Sequence, residues 1–163
     1  MKKIPITFLF VILSVLSLYS QDKIKIAVLE FKILNVNMDI AEAVYDEFIV
    51  RLIDSGKFTV AEREDLKKVM LEMALQNTDE FDESSSVEIG KYLGAQIVIF
   101  GKLQKIGQKV RISIKGVDVK SATAAFAKLV TVENEDLLFD NIPLLINQII
   151  DESHVAKASF YKY

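Results

Sequence analysis

Residues 95–103, "AQIVIFGKL", are the most constraining stretch of the chain: β-branched, apolar on both sides and without a turn signal until the end. A run of this kind reads as a central strand buried on both faces. The next thirty residues fix its partners. Gly107 marks a tight turn. "KVRISIKGVDV" then alternates, with Val110, Ile112 and Ile114 on one face and polar residues on the other. The alternation slips at Gly116, after which Val117 and Val119 are the apolar set. A glycine at such a slip predicts a β-bulge. "SATA" turns the chain into a last strand, about Ala125 to Val132. Short turns between alternating runs predict an antiparallel meander.

The first half has a different grammar. Lys23 to Phe31, "KIKIAVLEF", reads as a buried strand, and "KILNVNMD" as a loop. With Asp39 as N-cap, apolar residues at 40, 44, 48 and 52, flanked by 41, 45, 49 and 53, form a helical stripe that ends at Ser55–Gly56. Phe58 to Ala61 is a short strand. Leu66, Val69, Met70 and Met73 keep helical spacing to about Asn77. Ser85 with Glu88 fits a capping box for a helix closing at Gly94. A final helix covers about Glu135 to Asp151, where Pro143 predicts a kink or a restart capped by Asn141. The order β-α-β-α-α-β-β-β-α predicts an α/β (α+β) fold, with a single mixed β-sheet and helices packed on it.

Residues 1–20, "MKKIPITFLFVILSVLSLYS", have the anatomy of a signal peptide: Lys2 and Lys3, then an apolar core, then Ser17 and Ser20. The expected organisation is a signal peptide over 1–20, an α/β domain over 22–152 and a C-terminal tail over 153–163. Cleavage after Ser20 would leave Gln21 first, without an acyl-bearing cysteine. No later segment is apolar enough to predict a transmembrane span. The expected location is the periplasm of a double-membrane bacterium, with outer-membrane association. The chain has no cysteine, so thiolate chemistry and disulfides are excluded. Its net charge of −3 offers no basic excess for nucleic acid. The acidic run Asp79–Glu83, "DEFDE", lacks the glycine and spaced carboxylates of a calcium loop and reads as solvated.

Charge also clusters at Glu62–Arg63–Glu64–Asp65, where the "FTV" strand hands over to a helix. The C-terminal ends of parallel strands are common ligand sites. Helix starts also favour carboxylates, and Arg63 can pair with an acidic side chain. His154 is the one histidine and lies in the tail. No phosphate-binding loop, G-x-G-x-x-G, H-E-x-x-H or G-x-S-x-G occurs. The sequence therefore predicts no catalytic residues, no cofactor, no metal and no enzyme. Candidate subunit or partner contacts are Glu62 and Arg63, with Phe160 and Tyr161 in the tail.

"KIAVLEF", "SGKFTVAEREDL", "GKYLGAQIVIFGKL" and "VRISIKGVDVKSATAAFAKLVTV" occur in an order that resembles the CsgG-like superfamily. Phe58, Val60 and Arg63 carry one of its elements. Leu93, Gly94, Ala95, Val98 and Gly101 carry another. The resemblance spans about Lys23 to Asp151 and covers curli secretion channels, FlgO-like flagellar outer-membrane-associated proteins and LpoB-like penicillin-binding-protein activators. It implies a non-catalytic envelope domain that binds or assembles with envelope or outer-membrane proteins and forms a homo-oligomer. Activation of a cell-wall synthase is the alternative, and a curli-type channel subunit the next. The family's common lipid-bearing cysteine is absent here. So are long insertions for membrane hairpins and the "T-G" between the last two strands, replaced by Ser121-Ala122-Thr123.

Overall fold

A computed structural model describes residues 23–73 and 83–160, with side chains through Ser153 apart from that of Glu83. Six strands form one mixed sheet: β1 (Ile24–Val28), β2 (Lys32–Leu34), β3 (Phe58–Val60), β4 (Ile97–Ile106), β5 (Lys109–Asp118) and β6 (Thr123–Val132). The helices are α1 (Met38–Asp54), α2 (Arg63–Glu72), α3 (Glu83–Leu93) and α4 (Leu138–Phe160). The sheet order is β3-β1-β4-β5-β6. β1 is parallel to β3 and β4, while β4, β5 and β6 form the antiparallel meander. This is the mixed α+β sheet that the sequence predicts.

The sheet separates two cores. On one face α1 and α4 bury Phe48, Leu52, Leu145 and Ile149 against Ile26, Ile99, Leu103 and Ile112. On the other, α2 and α3 bury Leu66, Val69, Ile89 and Leu93 against Ala27, Val98 and Val117. Strand β1 is therefore apolar on both faces, as "KIAVLEF" requires. The bulge falls where Gly116 predicts it, between Gly116 and Val117. Phe126 lies directly over Gly116: a Cβ there would meet the ring at 2.4–2.8 Å.

Five local expectations are corrected. The first strand does not run unbroken to Phe31, because three residues separate Val28 from Lys32 where two separate their β4 partners Ile99 and Lys102. The extra residue breaks the ladder, and "KIL" resumes as β2 instead of a loop. Asn37, not Asp39, caps α1: its Oδ1 accepts from the Asp39 and Ile40 amides at 2.8 and 3.4 Å. Asp39 instead lies in the first turn, where the dipole favours it. α3 begins at Glu83, so Ser85 is inside the helix and forms no capping box ahead of it. The last helix passes through Pro143 without restarting. Pro143 forfeits one amide bond near the helix start, and the buried Ile142, Leu145 and Ile146 hold the helix in place. Asn141 is no cap: its Nδ2 donates to the Leu137 carbonyl at 2.8 Å. Asn134 instead accepts from the Leu137 amide and caps a 3₁₀ turn over Glu135–Leu137. Finally, α4 runs on to Phe160, well past Asp151, through most of the stretch expected as a tail. The expected helix end at Asn77 and residues 79–82 of the acidic run lie outside the described residues.

Candidate contact site at the strand-to-helix junction

The broken ladder between β1 and β2 has a chemical consequence. It carries Glu30 out of the sheet at the C-terminal ends of β1 and β3, while the neighbouring Phe31 turns into the core. Phe31 needs room, and Gly101 supplies it: a Cβ at Gly101 would lie 2.8 Å from the Phe31 ring and 2.7 Å from Ile114. Phe31 then packs edge-on against Tyr45 and Phe48 of α1, at centroid distances of 5.3 and 5.4 Å. That is the favourable edge-to-face arrangement.

Arg63, the first residue of α2, closes over this corner. Its Nη2 donates to Glu30 Oε1 at 2.8 Å. Its guanidinium lies 5.6 Å from the Tyr45 ring centroid, within cation–π range. The Tyr45 hydroxyl donates to the Val28 carbonyl at 3.0 Å. Three elements are thereby tied together: the end of β1, the middle of α1 and the start of α2. The ion pair is about half exposed (45% and 47%), so its net contribution is only about 0.2–1 kcal/mol.

The electrostatics do not describe an acid–base centre. Burial pushes the Tyr45 phenol up to about 12; Arg63 opposes that shift, while Glu30 and Asp46 add to it. A phenol held neutral this firmly donates a hydrogen bond and exchanges no proton near neutral pH. The hydrogen bond to Glu30 raises Arg63 further above its already high value. Among the described residues, no cluster of three metal-ligating side chains occurs. A shallow hollow of about 340 Å³ between α2 and α3 is lined by Met73, Glu88, Lys91 and Tyr92.

The sequence-predicted contacts separate here. Arg63 pairs neither with Glu64 nor with Asp65, which face Lys67 and Lys68 at 3.5 Å. Glu62 takes the N-cap position of α2 but makes no side-chain capping bond. Phe160 ends α4, far along the chain from this corner, and Tyr161 lies outside the described residues. Sequence reasoning missed Glu30 and Tyr45. The signal for Glu30 was its place as the lone charge in "IAVLEF"; Tyr45 was hidden within an apolar stripe.

The family model for CsgG, curli production assembly/transport component, matches residues 14–133. No curated protein matches by sequence. Among solved structures, the chain resembles the LpoB C-terminal domain from Escherichia coli: TM-score 0.58 at 16% identity, covering 73% of this chain and 92% of that one. It also resembles lipoprotein GNA1162 from Neisseria meningitidis, with TM-score 0.57 at 12% identity, covering 77% and 96%. A PelC dodecamer from Paraburkholderia phytofirmans is similar at TM-score 0.50 and 13% identity, covering 76% and 85%. At these identities the likeness is one of fold.

Proposed function

The chain belongs to the CsgG family, and from that membership we propose that it is a non-catalytic domain of the bacterial envelope, exported to the periplasm, that works by binding or assembling with envelope proteins. The carrying observation is the family match across 14–133. The corner around Arg63 supports the same reading, since it offers recognition chemistry without reaction chemistry. About half of the Arg63 side chain stays exposed after pairing with Glu30, so it can also meet a partner's carboxylate. Arg63 and Glu62 are the proposed contacts there, with Phe160 and Tyr161 at the far end of the chain.

A second reading, activation of a penicillin-binding protein, is favoured by the fold likeness to the LpoB C-terminal domain. A curli-type channel subunit is less well supported. All ten residues of β4 and of β5 are paired with each other in the sheet, and the turn between them is two residues long. That leaves this hairpin nothing extra to send into a membrane. Crosslinking in intact cells, with identification of the captured proteins, tests the proposal. Envelope proteins are expected, and a cell-wall synthase among them would select the second reading. Capture of cytoplasmic proteins alone would overturn both. So would an enzymatic turnover lost in Arg63→Ala with the fold and contacts intact.

A further inference from the structure

The edges of the sheet are unequal. β3 closes one side with three residues, and β2, which pairs only with β4, is as short. β6 closes the other side and is ten residues long. Among the described residues no strand lies beyond β6, and no backbone bond joins it to anything but β5. In a ladder with one neighbour, alternate residues aim their amide and carbonyl groups outward. β6 therefore holds a row of unpaired donors and acceptors, a template on which another extended chain can pair.

The devices that ordinarily close such an edge are a short strand, a proline, a guarding charge or a bulge. β6 has no proline, and its one charged residue is Lys128. Lys128 lies opposite Ile114, on the core side of the strand, and donates to Glu152 of α4. Its side chain is only 17% exposed, so its charge is engaged by the helix and does not guard the edge. The bulge sits near the start of the strand. The register passes from Gly116–Phe126 to Val117–Ala124, which leaves Ala125 as the extra residue. From Phe126 to Val132 the ladder is regular, over about 20 Å at 3.4 Å per residue.

The side chains along this edge set what can pair there. On the side facing α4, Phe126 and Val132 are buried, while Val130 and, on α4, Ile150 are only partly buried against the core. Apolar side chains from an added strand would complete that margin. On the other face Ala127, Leu129 (59% exposed) and Thr131 are exposed, and none is charged.

We propose that the outer edge of β6 pairs with an extended segment of a partner protein, apolar at every second residue, which adds a further strand to the sheet. Main-chain hydrogen bonds hold the segment, and its alternate apolar side chains on the α4 side select it. This deepens the proposed binding function by naming the surface and the form of the partner, and it rests on that reading.

The test uses the chain purified as the cell produces it and a synthetic peptide, KVRISIK, which copies Lys109–Lys115 and has the required alternation. Binding is read by NMR titration and amide hydrogen exchange. The peptide is expected to protect alternate amides between Phe126 and Val132, those that exchange freely before it is added. A scrambled peptide of the same composition should bind at least about tenfold more weakly. N-methylation of alternate peptide residues separates strand pairing from non-specific adhesion. Methyl groups on the set facing β6 should weaken binding at least about tenfold, and on the other set less than about threefold. Binding that ignores both sets, or protection confined to amides outside β6, would overturn the proposal. So would no binding at about 1 mM peptide. A chain that already protects these amides by dimerising would assign the edge to a second copy, and would overturn it as well. Envelope proteins captured in cells by a chain that binds no peptide would sink this inference alone. Capture of cytoplasmic proteins alone would remove the proposed function, whatever the edge binds.

Discussion

Gly116→Ala is the smallest change that should register strongly. The added methyl would sit 2.4 Å from Phe126 Cζ, 2.5 Å from Cε1 and 2.8 Å from Cε2. Ordinary carbon contacts begin near 3.4 Å, so the ring must retreat by roughly 1 Å. It has nowhere to go cheaply, because Phe126 is 4% exposed and belongs to the main core shared with α4. Overpacking of this kind costs about 1–3 kcal/mol. The strand gains a little from losing a glycine, which trims the cost by about 0.5 kcal/mol. A net loss of about 1–2 kcal/mol should lower Tm by about 2–8 °C in a domain of this size. Urea denaturation and calorimetry read the loss. Phe126→Leu supplies the control: alone it destabilises by vacating space, but combined with Gly116→Ala it makes room for the methyl. The pair should therefore be non-additive by about 1 kcal/mol or more. A neutral Gly116→Ala, or two strictly additive changes, would refute the packing argument.

Three further outcomes rest on named contacts. Tyr45 titrates near 12 in the folded protein against 10 in the unfolded chain, so its contribution is complete below pH 10 and is lost as pH rises toward 12. The stability difference between the native chain and Tyr45→Phe, from urea curves, should shift by up to about 2 kcal/mol over that window; a pH-independent difference would contradict it. Arg63→Ala and Glu30→Gln should each cost about 0.5–1 kcal/mol, with a double-mutant coupling that shrinks in high salt; zero coupling at low salt would mean the pair contributes nothing. Asn37→Ala should cost about 1 kcal/mol by freeing two amide donors at the start of α1, whereas Asp39→Asn should cost less; the reverse order in thermal melts would return the cap to Asp39.

The parts of the fold legible in sequence are those with a period. Val110, Ile112 and Ile114 alternate because one side of β5 faces a core, and the slip at Gly116 was visible because the alternation was regular on both sides of it. Gly56, Gly94 and Gly107 were readable as terminators and turn residues, and each has positive φ. The elements that escaped had no period. β2 is three residues long and exists because it re-pairs with β4 after a one-residue slip; nothing in "KIL" distinguishes that from a loop. The capping error at α1 was a contest between Asn37 and Asp39, two residues with similar capping chemistry, decided by which one the backbone left extended. Half of the candidate site was legible for the same kind of reason. Arg63 stood out at an abrupt strand-to-helix border, but its partner is 33 residues away. Long-range pairings of that sort are set by sheet order.

The alternation in "KVRISIK" follows from what each face of the strand meets. In β1, both faces are covered and the strand is apolar throughout its centre. In the first part of β5, Val110, Ile112 and Ile114 turn into the core while Arg111, Ser113 and Lys115 fill the other face. Most solvated surfaces are made harmless with mixed charges. On this face the rows Lys102–Ser113–Leu129 and Gln104–Arg111–Thr131 hold only cations, neutral polar groups and one apolar side chain. The next row along restores the opposite sign, with Glu133 paired to Lys109 at 2.8 Å. Folding needs only that those positions be polar.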